Sequence, residues 1–211
     1  MNVIKRIEKL KLIPVAVIEN PDNAFKLGNT LLNAELPIVE VTFRTEYALN
    51  ALRILKDNFP NMIVGAGTVL KIEQVKAASN IGIDFIVSPG FNPKIVDYCI
   101  ENEMLIIPGV NTPTMVEWAL EKGLNVLKFF PAELSGGTKM LKALEGPYPE
   151  MRFVPTGGIN NENIIAYLTL NNVIACGGSW IVKKDLVALG NFEEISKIIA
   201  TAISLINSKI K

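Results

Sequence analysis

A lysine stands inside an apolar run, Val126-Leu127-Lys128-Phe129-Phe130. In strand alternation Val126, Lys128 and Phe130 share one face. An amine among apolar side chains is costly as a cation, and in its neutral form it attacks carbonyl carbon. Lys128 therefore reads either as a nucleophilic amine or as a lysine that snorkels to the rim of the fold and pairs with a carboxylate. Glu40 poses the same question, because it alternates with Ile38 and Thr42 inside another apolar run. It would act as counter-charge to the lysine, or as a proton shuttle working directly or through one water. Arg44 follows just beyond that run. A guanidinium there suits bidentate capture of a carboxylate, although taken alone it also reads as a solvated loop arginine.

Two glycine pairs form a second constellation, Gly157-Gly158 and Gly177-Gly178, the latter followed by Ser179. Glycines let backbone amides approach an anion closely, and a serine hydroxyl can add to them. Such pairs also occur at plain strand-to-helix turns. Thr68 and Thr156 are further hydroxyls at strand ends, able to bond a substrate oxygen or to cap the next helix.

The chain of 211 residues contains no histidine. This excludes Ser-His-Asp triads, Cys-His dyads and histidine-ligated metals. Proton transfers fall to carboxylates, lysines, hydroxyls and water. No metal is expected.

The elements that would position these groups alternate regularly. Apolar, β-branched runs at 14–18, 38–42, 62–65, 85–88, 105–108, 126–129, 152–156 and 173–177 read as strands of a parallel sheet covered on both faces. Helical patterns at 22–33, 48–59, 72–81, 93–101, 114–122, 138–144, 162–170 and 192–207 lie between and after them. Proline at the expected first turn of 93–101, threonine opening 114–122 and glycine at 82 and 123 mark helix ends. Eight strands and eight helices in alternation predict a single α/β domain over 1–211, a (β/α)8 TIM barrel with an extra N-terminal helix over 2–10. In such a barrel, chemistry belongs at the C-terminal strand ends. Glu40, Arg44, Thr68, Lys128, Thr156 and both glycine pairs fall there.

Twenty-one basic and twenty-one acidic side chains balance. That leaves no electrostatic footprint for nucleic acid or an anionic membrane. No apolar run approaches a membrane span. The basic residues before 12–18 are followed by an apolar run that Pro14 interrupts, which does not read as a secretory signal. Two cysteines, Cys99 and Cys176, do not make a disulfide framework, so a reduced, cytoplasmic setting is expected.

Read in order, the strand ends form a set: EVTFRT at 40–45, GAGTVL at 65–70, SPGFNPKIV at 88–96 and PGVNTP at 108–113. There follow KFFPAE at 128–133, GG at 136–137, GP at 146–147, PTGGI at 155–159 and CGGSW at 176–180. This ordered set, spread over nearly the whole chain, resembles the 2-keto-3-deoxy-6-phosphogluconate aldolase family, whose members often also act as 4-hydroxy-2-oxoglutarate aldolases. The resemblance implies a class I, Schiff-base aldolase that needs no cofactor. It implies Lys128 as the imine-forming residue and Glu40 as the proton acceptor and donor. It assigns Arg44 and Thr68 to the pyruvate moiety, and Pro89, Phe130 and Thr156 to the pocket wall. Gly157, Gly158, Gly178 and Ser179 match a phosphate site. The implied partners are a small-molecule 2-oxo acid and two further copies in a homotrimer. Where some relatives carry a basic residue after the first strand, this chain has Glu19-Asn20-Pro21. An aldolase for the galactonate epimer and a phosphosugar isomerase or epimerase on the same barrel are the rival readings.

Overall fold

The computed structural model describes residues 2–210, so the first and last residues of the expected 1–211 domain lie outside it. The chain folds as an α/β structure around a curled parallel sheet. The strands are β1 Leu12–Ala16, β2 Ile38–Thr42, β3 Ile63–Gly67, β4 Phe85–Val87, β5 Ile106–Ile107, β6 Gly109–Val110, β7 Val126–Phe129, β8 Arg152–Pro155 and β9 Cys176–Gly178. Six of them pair in the order β5-β4-β3-β2-β1-β9, and three in the order β6-β7-β8. Single parallel bridges, Thr156↔Gly177 and Phe153↔Val173, link the β8 and β9 regions.

Every strand residue except Arg152 is buried. The near-continuous apolar runs of the sequence are the consequence, since helices cover the outer face and side chains fill the inner one. The helices are α1 Val3–Leu10, α2 Asp22–Asn33, α3 Ala48–Asn58, α4 Ile72–Ser79, α5 Pro93–Glu101, α6 Pro113–Glu121, α7 Gly137–Glu145, α8 Ile164–Leu168, α9 Lys184–Ala188 and α10 Phe192–Lys209. Several bury one stripe at helical spacing. In α2 the stripe is Ala24, Leu27, Gly28 and Leu31, and in α3 it is Ala48, Ala51, Leu52 and Leu55. Each fully buried leucine stabilises the fold by about 1.5–3 kcal/mol. Gly28 is required because the Phe59 ring occupies the space a Cβ would take.

Several boundaries differ from those expected. The first strand starts at Leu12, two residues earlier than read, because the Lys11 carbonyl accepts the Cys176 N–H and sets the register of Leu12 against Cys176. Pro14 lies inside it rather than opening it. The third strand runs on through Gly67, which pairs with Thr42. The fifth is divided at Pro108, which has no N–H to give. Its first half pairs with β4 and its second with β7, while the Pro108 carbonyl accepts the Lys128 N–H at 2.9 Å. In the last run Val173 makes only its isolated bridge, and the strand begins at Cys176. Thr112, not Thr114, caps α6, accepting from the Met115 N–H ahead of Pro113 in the first turn. Helix α8 starts at Ile164 rather than 162, because the Asn163 side chain turns back to Gly158 and Asn160. Helix α9 was not anticipated at all.

Candidate active site

Strand β7 places Lys128 and strand β2 places Glu40, and the two meet across the interior of the curled sheet. Lys128 Nζ lies 3.2 Å from Glu40 Oε1 and donates a hydrogen bond to it. The lysine side chain is 8% exposed and the glutamate 4%. Of the ion pairs among the described residues this is the buried one; the others keep 17% or more of each side chain in solvent. Two charges taken from water gain by pairing only when geometry and further contacts are favourable. A second contact is the Phe130 ring, whose centroid is 5.4 Å from Nζ.

Gly67 explains how the glutamate reaches the lysine. A Cβ at position 67 would stand 2.2 Å from Glu40 Oε1 and 2.6 Å from its Cγ. The carboxylate lies in the space this glycine leaves open. Thr42, next on the same face of β2, donates its hydroxyl to the Ala16 carbonyl and ties β2 to β1.

Above this pair opens a cavity of about 100 Å³, lined by Lys128, Arg44, Thr68, Pro89, Phe130, Thr156, Gly157, Gly158, Gly178 and Ser179. The candidate residues expected from the sequence line it, apart from Glu40, which backs Lys128, and Gly177, which lies under the Thr156 side chain. Val15 and Ile159 also line it and were not foreseen. Both are apolar residues in apolar runs, and nothing in their type distinguishes them from core. A groove of about 520 Å³ between α2 and α10 is larger, but Asn33, Glu35, Ser196, Ser204 and Asn207 along it offer no paired amine and carboxylate.

The rim supplies cationic and hydroxyl groups. Arg44 is exposed and makes no ion pair among the described residues, so its fork can take an incoming carboxylate. Thr68 has φ of 54°, the left-handed region. A β-branched residue held there costs about 1–3 kcal/mol, and such strain gathers at functional sites. The Thr156 side chain crosses Gly177, where a Cβ would stand 2.4 Å from its Oγ1. Gly157 and Gly158 both take positive φ, 96° and 82°, which an L side chain rarely adopts. The turn they form lines the cavity together with Gly178 and Ser179. Trp180 joins these two loops through its indole N–H, which donates to Asn161 Oδ1 at 3.1 Å.

Chemically, the arrangement holds a primary amine against a carboxylate at the bottom of a small cavity. The same cavity is lined by a free guanidinium and by glycines whose amides can meet an anion. Among the described residues no group of three or more cysteine, aspartate and glutamate side chains could hold a metal ion. No helix among them is long and apolar enough to cross a membrane.

The model of one known family, described as KDPG and KHG aldolase, matches residues 3–198. The chain is 47% identical over 204 residues to the 2-dehydro-3-deoxy-phosphogluconate aldolase of Haemophilus influenzae, covering 97% of this chain and 96% of that one. It is similar to the solved structure of the KDPG aldolase from Legionella pneumophila with pyruvate captured as a covalent carbinolamine intermediate. The TM-score is 0.89 at 38% identity, covering 91% of this chain and 93% of that one. A third likeness is to the 2-keto-3-deoxy-6-phosphogluconate aldolase of Zymomonas mobilis with 3-phosphoglycerate, with a TM-score of 0.88, 34% identity and 96% of each chain covered.

Proposed function

The chain belongs to the KDPG and KHG aldolase family, and from that premise we propose that it is a class I aldolase. It cleaves 2-keto-3-deoxy-6-phosphogluconate to pyruvate and glyceraldehyde 3-phosphate, and 4-hydroxy-2-oxoglutarate to pyruvate and glyoxylate. The observation that carries this reading is the buried contact of Lys128 with Glu40 at 3.2 Å beneath the cavity.

Lys128 attacks the C2 ketone, forming a carbinolamine, and loss of water leaves a protonated imine. The iminium nitrogen accepts the electron pair of the C3–C4 bond. Glu40, directly or through one water, takes the C4 hydroxyl proton as that bond breaks, and the aldehyde departs. The protonated Glu40 then returns its proton to C3 of the enamine. Water adds to the resulting imine, releasing pyruvate and regenerating the amine. Arg44 and Thr68 hold the substrate carboxylate so that C2 faces the amine, an orientation effect. Pro89, Phe130 and Thr156 shape the wall around the reacting carbons. Gly157, Gly158, Gly178 and Ser179 receive the phosphate, which is supported by the positive φ of the two glycines at 157 and 158 and by the place of all four in the cavity lining.

The same reading takes β5 with β6 as one strand of a closed eight-stranded barrel, with α1 as the extra helix outside the ring. The bridge Thr156↔Gly177 supports closure between β8 and β9. It also takes the chain as one domain, cytoplasmic and assembled as a homotrimer.

The direct test is borohydride reduction in the presence of pyruvate, followed by peptide mass spectrometry. One pyruvyl-derived mass is expected per chain, on the peptide containing Lys128, and Lys128→Ala should lose both labelling and cleavage. Full cleavage by Lys128→Ala would overturn the Schiff-base mechanism.

A further inference from the structure

Tyr167 of α8 is 1% exposed, and its hydroxyl donates a hydrogen bond to Oε1 of Glu133. Burial pushes the phenol's pKa up, and the Glu133 carboxylate pushes it further, so the group stays a protonated donor near neutral pH. Glu133 closes the motif that Lys128 opens, yet it lines no part of the cavity. Its contacts run instead to the back of the glycine turn. The Glu133 N–H donates to the Gly157 carbonyl at 3.1 Å, and the neighbouring Ala132 N–H donates to the Thr156 carbonyl at 2.8 Å. A trans peptide is planar, with its C=O and N–H pointing in opposite directions. Pinning these two carbonyls therefore turns the N–H groups of Gly157 and Gly158 away from the 132–133 segment. Both glycines line the cavity. The stem of Glu133 also covers Gly158: a Cβ there would stand 2.5 Å from Glu133 Cγ and 2.8 Å from its Cβ. Gly137 keeps the junction open, since its Cβ would stand 3.1 Å from the Tyr167 hydroxyl.

We infer that Tyr167 and Glu133 are positioning residues for anion recognition: Tyr167 locks the Glu133 side chain, whose stem packs on Gly158 and keeps the 132–133 backbone in place, and the N–H groups of that backbone hold the Gly157 and Gly158 amides aimed at the substrate phosphate. Neither residue touches the reacting atoms. The inference rests on the aldolase reading for the identity of the anion, but its geometry does not involve Lys128.

The test compares inorganic phosphate binding by calorimetry with pyruvate trapping by borohydride, in wild type, Tyr167→Phe, Glu133→Ala and Glu133→Gln. Tyr167→Phe keeps the ring and removes the donor. It should weaken phosphate binding about tenfold, within the usual range of coupling between groups that act on one site without touching its ligand, and raise KM for the phosphorylated substrate similarly with kcat little changed. Pyruvate trapping should not move. Glu133→Ala should repeat the defect. Glu133→Gln, which can still accept from the phenol, should restore most of the binding. Unchanged phosphate binding in both Tyr167→Phe and Glu133→Ala would overturn the inference, as would equal losses of phosphate binding and trapping in folded variants, which would mark a merely structural pair. Wild type that binds phosphate in a Tyr167-dependent way but never traps pyruvate would instead sink the aldolase reading and leave the positioning role standing.

Discussion

Lys128 and Glu40 are 88 residues apart in sequence, and their charged ends lie 3.2 Å apart in the folded chain, almost sealed from solvent. The contact joins β7 to β2 across the sheet interior, so neither strand's neighbours in the sheet create it. Removing one member of a buried pair leaves the other charge uncompensated, at a cost of about 3–5 kcal/mol. Variants at either position should therefore unfold at a lower temperature than wild type, and their rates are compared on folded protein.

Glu40→Gln keeps a polar group of similar shape beside Lys128. Imine formation needs no base at the C4 hydroxyl, whereas bond cleavage and enamine protonation do. This variant should still trap pyruvate on Lys128 while cleaving substrate about 100- to 10,000-fold more slowly, the usual worth of one acid–base group. Exchange of the pyruvate methyl protons with deuterated solvent, followed by NMR, should slow as well. Normal cleavage combined with failed trapping would assign Glu40 to activating the lysine instead.

Gly67→Ala tests the space that Glu40 occupies. The new methyl would stand 2.2 Å from Oε1, so the carboxylate must move. Overpacking of this kind costs about 1–3 kcal/mol, visible as a lowered melting temperature. Cleavage should fall by more than tenfold, because a displaced base loses the geometry on which general-base catalysis depends. An alanine variant with wild-type kcat would show that Glu40 does not work from this position.

Ser179→Asp sets a carboxylate where the phosphate is expected. Like charges repel, and a charge-assisted hydrogen bond is lost, so kcat/KM for the phosphorylated six-carbon substrate should drop on the order of 10- to 100-fold. Cleavage of 4-hydroxy-2-oxoglutarate and proton exchange of pyruvate should be spared, since the proposed contacts of the pyruvate moiety are Arg44, Thr68 and Lys128. Equal losses on all three would move Ser179 from the phosphate to support of the fold.

Metal dependence is tested by exhaustive treatment with EDTA. The chain has no histidine, and an iminium supplies the electron sink that a metal would otherwise provide. The rate of cleavage should be unchanged. Activity lost to the chelator and restored by zinc or magnesium would place the enzyme in a different mechanistic class.

Much of this was readable from the chain itself, because burial leaves marks on composition. Strands covered on both faces must be apolar throughout, so a lysine or a glutamate inside such a run stands out by type alone. Strand alternation then placed Lys128 and Glu40 on particular faces, and the alternation of strand and helix put their ends on one rim. Glycines that a backbone turn or a close approach requires, such as Gly157 and Gly158 with their positive φ, were equally visible as pairs. What the chain did not disclose was anything set by pairing between distant segments. The start of β1 depends on where Lys11 meets Cys176, and the break at Pro108 depends on which neighbour each half of that strand finds. Helix α9 is too short for periodicity to reveal. The role of Gly67 appears only when a carboxylate from another strand is seen above it, and that of Glu133 only when Tyr167 is seen behind it. Local sequence determines which groups are unusual for their surroundings. Only tertiary structure decides which two of them touch, because that distance is set by how far the sheet curls and not by any spacing along the chain.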